Sequence, residues 1–507
     1  MLTIIGAVLV VLVAAVWIFA FAWGFGRSER VASQFSEPAP WTMREGFLWG
    51  AATADHQIEW SQDDSWTLLE KEALAHRRFE QLSPGNAKPG HIARLGDWPA
   101  EVVRKKANFD ERMEADLDLA VSMKMNAFRF SFSWARLFPR EDLTEPDPAG
   151  VAFYRRLLDA MKARKLTPSA TLFHFAIPAW LAREKDGKKG WERADAVAHF
   201  ERFAKAAAKE FGGDVTHWCT LNEPMVYLYL GYLQGVHPPN EQRKDPAEIA
   251  PVALQLLRAH AAAYKAIKDD ATRRGTKTMV GMTHHVRAFE PLRNAVPLDR
   301  ITARIVSQAF VWDFPDAVAS GTLKLTTGGL SETVEGLAGT QDYLGLNYYG
   351  RYYVKSDLFH PAAFQVLPHD PDAKGEEIND LGWAIYPKGF SEALVEGWRR
   401  YRLPIYVLEN GTADAQDEDV ARRRLLVSHA REMWHAVKHG GADVRGYFHW
   451  ALTDNFEWAE GFEGRFGLVK VDYRDGFKRI PRPSAEVFGR IAGANGVDGA
   501  VAEKWGE

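Results

Sequence analysis

The sequence predicts an α/β protein, a single (β/α)8 TIM barrel preceded by one N-terminal transmembrane helix. Short apolar runs alternate with helical patterns eight times along the chain. That alternation is typical of one closed parallel barrel rather than of two doubly wound domains. Two of the runs end in a glutamate, Glu223 and Glu409, at the strand position where such barrels carry their chemistry. Residues 4–25 form an uncharged apolar run long enough to cross a bilayer.

The composition is that of a folded globular protein and excludes some classes of function. The 507 residues are 46% hydrophobic and 26% charged, and the net charge of -4 argues against a general nucleic-acid binder. The 18 Trp, 15 Tyr and 29 Phe residues suit core packing or stacking against sugars. Cys219 is the single cysteine, which excludes an intrachain disulfide and a cysteine-based metal site.

The chain divides into four predicted segments. They are a transmembrane anchor over residues 1–26, a linker over 27–45, the catalytic barrel over 46–495 and a flexible tail over 496–507. The alternative for the first segment is a cleaved signal peptide, but the basic n-region and the Ala-x-Ala cleavage pattern are missing. Arg27 and Arg30 follow the apolar run, so the positive-inside rule predicts that the barrel lies on the cytoplasmic face.

The predicted elements follow from apolar runs and helical periodicity. Strands are expected over residues 47–53, 126–131, 167–173, 218–223, 278–283, 342–348, 405–411 and 444–450. The seventh run is apolar on both faces before its glutamate, as in a strand buried inside a parallel sheet. Helices are expected over residues 112–125, 154–165, 194–211 and 249–268. Residues 76–108 are rich in charge, Gly and Pro, and are expected to form a long excursion.

Two strand-end glutamates suggest paired-carboxylate chemistry. A retaining glycosidase holds two carboxyl groups about 5–5.5 Å apart, one as the nucleophile and the other as the acid and base. The nucleophile must stay ionised, which favours cationic or hydrogen-bonding neighbours, whereas the acid needs a drier or more anionic setting. A glutamate at a strand end is, taken alone, more often a solvated or salt-bridged residue.

Three motifs resemble glycoside hydrolase family 1, the family of β-glucosidases and β-galactosidases. They are Thr220-Leu221-Asn222-Glu223-Pro224, Glu409-Asn410-Gly411 and Trp450-Ala451-Leu452-Thr453-Asp454-Asn455-Phe456-Glu457-Trp458. The resemblance covers nearly the whole predicted barrel, from residue 47 to residue 491. It implies a β-linked sugar as substrate and a reaction that needs no metal or organic cofactor.

The resemblance also implies a role for individual residues. Glu409 matches the nucleophile, Glu223 the acid/base, and Asn222 the amide that binds the sugar 2-hydroxyl. Arg129 matches the arginine beside the nucleophile, and Tyr349, in Asn347-Tyr348-Tyr349, matches the tyrosine that hydrogen-bonds it. The expected sugar-binding residues are Gln57, His174, Glu457 and Trp458 around the outer hydroxyls, with Trp450 as the stacking platform.

Four short stretches depart from the usual family pattern. Leu408 precedes the nucleophile where the family usually has Thr, and Phe175-Ala176 follows His174 in place of Trp-Asp. Trp60 ends a motif that usually ends in Gly, and residues 108–111 replace a histidine-rich segment. These changes concern the side of the site that receives the aglycone, and they leave the expected chemistry intact.

The sequence supports one main interpretation and two rivals. The main one is a membrane-anchored retaining β-glycosidase that acts on β-glucosides or β-galactosides by hydrolysis, transglycosylation or both. The apolar N-terminus, Asp64-Ser65-Trp66 and residues 280–286 resemble the branch of plant galactolipid galactosyltransferases, which implies the first rival, a glycolipid-forming glycosyltransferase. The second rival is a non-catalytic carbohydrate-binding protein, which the presence of both glutamates disfavours. The sequence decides neither between glucose and galactose nor the oligomeric state.

Overall fold

The computed structural model of the protein describes residues 37–76, 92–357, 359–360 and 363–506. The expected transmembrane segment and most of the expected linker lie outside these residues. Within the described ranges, none of the helices combines the length and the apolar character that crossing a bilayer requires. The anchor and its orientation therefore stay predictions.

Eight parallel strands form the closed barrel that the alternating pattern predicts. They are β1 (Leu48–Ala52), β2 (Ala127–Ser131), β3 (Thr167–Phe173), β4 (His217–Asn222), β5 (Met279–Pro291), β6 (Tyr343–Ser356), β7 (Ile405–Asn410) and β8 (Val444–Trp450). Each strand pairs in parallel with the next, and β8 pairs with β1, so the sheet has no open edge. The prediction of a single (β/α)8 barrel is confirmed.

Helices surround the barrel and lie between its strands. Their bounds are Asp55–Ile58, Ser65–His76, Ala100–Lys105, Phe109–Ser122, Trp134–Leu137, Pro148–Ala163, Ala179–Ala182, Ala196–Phe211, Pro224–Leu228, Ala250–Arg274, Pro297–Ser307, Asp313–Ser320, Pro387–Tyr401, Val420–Lys438, Pro483–Gly493 and Gly499–Trp505. The helix expected over 154–165 begins earlier, at Pro148, because Asp147 accepts from the backbone N–H groups of Ala149 and Gly150 at 2.9 and 3.2 Å. Such a cap followed by proline is a strong start signal.

Two barrel strands are much longer than expected. The sequence predicts that β5 ends at residue 283 and β6 at residue 348, but they run to Pro291 and Ser356. They pair with each other as far as Pro291 and Val354, and Phe364–Leu367 adds an antiparallel strand to β6. The carboxyl-terminal parts of β5 and β6 therefore form a ribbon that extends beyond the ends of the other barrel strands.

The tail predicted over residues 496–507 contains a short strand and a helix as far as it is described, and its flexibility stays a prediction. Gly496–Val497 pairs with Trp41–Thr42 in an antiparallel strand pair. Asp498 then caps the helix Gly499–Trp505 by accepting from Val501 N at 2.8 Å. Val501 is buried, and the Arg423 guanidinium lies 4.1 Å from the centre of the Trp505 ring. An N-cap and one buried apolar side chain outweigh the Gly- and Ala-rich composition.

The described chain enters the barrel at the end opposite the predicted site. Arg44 donates to Asp443 at 2.8 Å, immediately before β8 begins, and Phe47 O accepts from Asn126 Nδ2 at 3.0 Å, just before β2 begins. Residues 41–47 therefore lie at the amino ends of the barrel strands. Glu223 and Glu409 belong to the carboxyl ends of β4 and β7.

Candidate active site

Both predicted catalytic glutamates lie at the carboxyl ends of barrel strands and are almost completely buried. Glu409 is the penultimate residue of β7 and Glu223 follows the last residue of β4. Their exposed fractions are 4% and 5%. Glu223 has a φ of 48°, a left-handed conformation that is uncommon away from glycine. Pro224 then begins a short helix, so the main chain turns sharply at this carboxyl group.

Two donors hold the carboxylate of Glu409. Arg129 Nη1 donates to Oε1 at 2.6 Å, and Tyr349 Oη donates to Oε2 at 2.7 Å. The same nitrogen of Arg129 also donates to the backbone oxygen of Leu408 at 3.2 Å. Leu408 stands where the family usually has Thr, and it helps to hold the guanidinium through its main chain. Hydrogen bonds to both oxygens and an adjacent positive charge favour the ionised form of a carboxyl group.

Two asparagines connect the two carboxyl groups in one network. Asn222 Oδ1 accepts from Arg129 Nη2 at 2.7 Å and from Asn347 Nδ2 at 3.2 Å. Asn347 Nδ2 also donates to Glu223 Oε1 at 2.7 Å. The predicted residues Arg129, Asn222 and Asn347 thus form a continuous path from Glu409 to Glu223. Because Arg129 and both asparagines are fully buried, the path is rigid and shielded from water.

The two glutamates influence each other's protonation. Burial raises the pKa of Glu409 to about 7, and the charge of Glu223 adds to this effect, although Arg129 and Tyr349 oppose it. Burial also favours a raised pKa at Glu223, but His285 and Asn347 outweigh it and hold that pKa below its usual range. Like charges in one buried site do not both ionise readily, so slightly below neutral pH the pair holds one proton between its two carboxyl groups.

The predicted sugar-binding residues Gln57, Trp450 and Glu457 are in mutual contact. Glu457 Oε2 accepts from Gln57 Nε2 and from Trp450 Nε1, both at 3.3 Å. Burial raises the pKa of Glu457 to about 8, so near neutral pH its carboxyl group both donates and accepts. Gln57 Oε1 is buried and has no hydrogen-bond partner among the described residues. A hydroxyl group of a bound sugar would satisfy this acceptor.

His174 and Trp458 lie beside these groups, as predicted. The ring centroids of His174 and Trp458 are 5.7 Å apart, and those of His174 and Trp450 are 5.9 Å apart. Burial, together with the charge of Arg129, holds the pKa of His174 well below its usual range, so the ring is neutral. Its Nε2 lies 3.0 Å from Asn222 Nδ2 and accepts from it, which leaves the second Nδ2 hydrogen of Asn222 available to a sugar hydroxyl.

The site contains two residues that were not assigned a role from the sequence, His285 and Arg287. His285 Nδ1 lies 2.9 Å from Glu223 Oε1, and Arg287 Nε lies 3.1 Å from His285 Nε2. Both residues belong to the part of β5 beyond its expected end. Alternation along a strand places residues 283 and 285 on one face, but the sequence contains no signal that this face lies against Glu223.

This geometry defines a barrel glycosidase: two buried carboxyl groups at the strand ends, one held by an arginine and a tyrosine, beside a pocket of aromatic and hydrogen-bonding side chains. The chain belongs to glycosyl hydrolase family 1, whose sequence model matches residues 40–497. It is therefore an enzyme of a family that hydrolyses β-glycosides by a retaining mechanism.

Known proteins of this kind align with almost the whole chain. Beta-glucosidase A of Thermotoga maritima is 30% identical over 472 residues, which cover 90% of this chain and 98% of that protein. A beta-galactosidase of Pyrococcus woesei is 30% identical over 519 residues, covering 91% and 99%. The solved structure of a beta-glycosidase from Pyrococcus horikoshii superposes with a TM-score of 0.77 at 32% identity, covering 92% of this chain and 99% of that chain.

Proposed function

We propose that the protein is a membrane-anchored retaining β-glycosidase that hydrolyses β-glucosides and β-galactosides, with Glu409 as nucleophile and Glu223 as acid and base. One observation carries the proposal. The hydrogen-bond path from Glu409 through Arg129, Asn222 and Asn347 ends on Glu223, so a single buried network orients both carboxyl groups.

In the first step, a Glu409 oxygen attacks the anomeric carbon and the glycosidic C–O bond breaks. The electron pair leaves with the glycosidic oxygen, which takes a proton from Glu223. A glycosidic oxygen can only accept a hydrogen bond, so bound substrate favours the protonated form of Glu223. The electron-poor anomeric carbon favours the ionised form of Glu409. Substrate binding thus moves the shared proton to the residue that must donate it.

In the second step, water attacks the anomeric carbon of the covalent glycosyl-enzyme. Glu223, now a carboxylate, takes the proton of the water, and Glu409 leaves as a carboxylate. A sugar hydroxyl in place of water would give transglycosylation through the same intermediate. The ratio of the two outcomes depends on the acceptor that occupies the aglycone side of the site.

Both glucose and galactose fit the proposed chemistry. The two sugars differ in the orientation of the 4-hydroxyl, and the clamp of Gln57, Glu457 and Trp450 offers donors and acceptors on several atoms. Relatives named as a beta-glucosidase and as a beta-galactosidase align equally well with this chain, at 30% identity each. We therefore propose that the enzyme accepts both configurations.

We further propose that residues 1–26 anchor the enzyme in a membrane, with the barrel on the cytoplasmic face. The described chain enters at the amino ends of the strands, and the catalytic carboxyl groups lie at the carboxyl ends. Fourteen residues separate position 26 from position 41, and fully extended they span at most about 50 Å. The linker thus joins the barrel at the end opposite the active site, and this attachment supports soluble β-glycosides over the glycolipid substrates of the alternative glycosyltransferase.

The chemical roles are tested by replacing each glutamate with alanine and adding azide. With an aryl β-glucoside and an aryl β-galactoside, we expect Glu409→Ala to lose activity by at least about 10⁴-fold. Azide should then restore turnover as the α-glycosyl azide, because it takes the place of the nucleophile. Glu223→Ala with azide should give the β-glycosyl azide instead, because azide attacks the glycosyl-enzyme. The assignment would be refuted if the two variants gave each other's azide, or if neither gave a glycosyl azide. Glu335→Ala, at an exposed position, serves as the control.

The substrate class is tested with the full chain in lipid vesicles. β-Glucosyl and β-galactosyl diacylglycerol are supplied in parallel with soluble β-linked disaccharides, and the products are separated by chromatography. We expect free sugar from the soluble substrates as the main product. Oligoglycosyl lipid as the main product would instead support the glycolipid-forming glycosyltransferase.

A further inference from the structure

His285 has an unusual position for a residue outside the expected catalytic set. Its Nδ1 lies 2.9 Å from Glu223 Oε1, the same oxygen that accepts from Asn347 Nδ2 at 2.7 Å. Its ring stacks on Tyr349, with ring centroids 5.6 Å apart and an angle of 17° between the planes. The ring therefore cannot turn away from Glu223 without losing the contact with the tyrosine that binds Glu409.

Arg287 fixes which nitrogen of His285 carries the proton. Arg287 Nε can only donate, and it lies 3.1 Å from His285 Nε2, so Nε2 must be the accepting nitrogen. In a neutral imidazole the proton is then on Nδ1, which donates to Glu223 Oε1. Arg287 is itself buried and held in place, because its guanidinium lies 4.3 Å from the ring centres of Tyr352 and Trp383.

We propose that His285 and Arg287 are positioning residues for the acid/base Glu223: Arg287 fixes the tautomer of His285, and His285 Nδ1–H holds Glu223 Oε1 so that Oε2 is the oxygen that exchanges the proton with the substrate. This inference rests on the proposed role of Glu223 and extends it. Donation to the carboxylate stabilises its ionised form, so the pair assists the second step, in which Glu223 must act as a base.

Several other charged or titratable groups face Glu223, and the effect of His285 adds to theirs. They are Arg129 on β2, Tyr349 on β6 and Glu409 on β7, while Arg287 on β5 reaches Glu223 only through His285. Arg129 favours the ionised form of Glu223, and Glu409 favours the protonated form. Of these groups, Arg129 and Tyr349 bond directly to Glu409, so they act on both carboxyl groups. Among the titratable side chains that the structure describes around Glu223, His285 is the one that donates to its carboxyl group.

Three variants separate a positioning role from a packing role. His285→Phe keeps a ring against Tyr349 but has no donor, whereas His285→Asn places an amide nitrogen close to the position of Nδ1. Arg287→Met keeps an apolar stem between Tyr352 and Trp383 but cannot fix the tautomer. His284→Asn is the matched control, because His284 immediately precedes His285 in β5 and its side chain lies on the other face of the strand.

Two measurements are made. The first is the pH profile with an alkyl β-glycoside, whose leaving group needs a proton. The second is kcat and kcat/KM with a dinitrophenyl β-glycoside, whose leaving group needs none. For His285→Phe we expect the alkaline limb of kcat for an alkyl glycoside to move up by about one pH unit. In this complex bound substrate keeps the proton on Glu223, and the variant removes a donor to the charged form of that residue. For the dinitrophenyl substrate, kcat should fall about tenfold, since the second step needs the base, and kcat/KM should stay within about twofold.

The remaining variants distinguish a positioning role of His285 from a packing role. His285→Asn and His284→Asn should keep the wild-type alkaline limb. Arg287→Met should shift the limb less than His285→Phe, and the double variant should match His285→Phe alone. An unshifted limb in His285→Phe, or an equal fall of kcat and kcat/KM for the dinitrophenyl substrate, would overturn the inference. A wild-type enzyme inactive on every β-glycoside would instead refute the proposed function.

Discussion

Arg129 and Glu409 form a buried ion pair in which Nη1 lies 2.6 Å from Oε1. The second guanidinium nitrogen of Arg129 donates to Asn222 at 2.7 Å, so one planar group orients the proposed nucleophile and the amide expected to bind the sugar 2-hydroxyl. A planar fork suits this double contact, whereas an ammonium group offers a single point charge. The pair therefore couples substrate binding to the orientation of the nucleophile.

We expect Arg129→Lys to lower kcat/KM for an aryl β-glucoside by about 100-fold or more, because breaking a buried ion pair costs about 3–5 kcal/mol. The guanidinium lowers the pKa of Glu409 against the effect of burial. Weakening that contact raises the pKa, and since the nucleophile acts when ionised, the acidic limb of the pH profile should move to higher pH. A lower rate with an unmoved acidic limb would show that Arg129 acts through packing alone.

A second prediction concerns the buried, unpaired oxygen of Gln57. Its Nε2 donates to Phe456 O at 2.9 Å and contacts Glu457, whereas Oε1 has no partner among the residues that the structure describes. We expect Gln57→Ala to lower kcat/KM about 10- to 100-fold for aryl glycosides, because a sugar hydroxyl loses its acceptor. The measurement is a series of 3-, 4- and 6-deoxy substrates.

The deoxy substrate that lacks the hydroxyl bound by Gln57 should react at similar rates with the wild-type enzyme and with Gln57→Ala. Such a pair would locate the contact on one hydroxyl of the sugar. Equal losses on all deoxy substrates would contradict a direct bond between Gln57 and the sugar. The exposed Gln416→Ala change, outside the site, provides the control for stability.

The strands and the two glutamates could be predicted because each depends on a local pattern. A short apolar run of four to eight residues, rich in β-branched side chains and bounded by turn residues, is typical of a buried strand. The role of His285 could not be predicted, because it depends on register: β4 and β5 pair Asn222 with Thr283, and β5 and β6 pair His285 with Asn347. These pairings place His285 next to Glu223. The register between two strands cannot be derived from the sequence of one of them.

Two of the departures from the family pattern prove to be in contact. Trp60 Nε1 donates to Asn108 Oδ1 at 2.7 Å, and Trp60 N donates to Asp110 at 2.9 Å. In the sequence the two stretches are far apart and look independent. In the fold, the residues that replace the histidine-rich segment bind the tryptophan that replaces the usual glycine. The substitutions therefore form one local arrangement, which no periodicity or composition could indicate.

A third prediction follows from the C-terminal segment. Deleting residues 496–507 removes the strand pair with Trp41–Thr42, the buried side chain of Val501 and the stacking of Arg423 on Trp505. We expect the midpoint of thermal unfolding to fall by at least about 4 °C, because burial worth a few kcal/mol is lost. Deleting Glu507 alone is the control. An unchanged midpoint for the longer deletion would mean that this segment contributes nothing to the stability of the barrel.

The last prediction concerns a buried cluster of charged residues next to the sugar-binding pocket. His56 lies 2.8 Å from Asp64 through Nδ1 and 2.7 Å from Glu70 through Nε2. Lys106 donates to Glu70 at 2.6 Å. The His56 ring also stacks on Trp458, with ring centroids 6.0 Å apart. Burial lowers the pKa of His56, but the two carboxylates outweigh it and raise that pKa to about 9.

A histidine whose pKa rises from 6.5 to about 9 on folding stabilises the folded state fully below the lower value, and this contribution is lost as the pH rises through the higher one. We expect His56→Gln to lower the free energy of unfolding by about 3 kcal/mol near pH 6, because buried Asp64 loses the positive charge beside it and Glu70 keeps only Lys106. Near pH 10 the loss should be much smaller. Urea unfolding followed by tryptophan fluorescence at both pH values measures the difference, with exposed His360→Gln as the control. An equal loss at both pH values would show that His56 stabilises the fold by packing and not by charge.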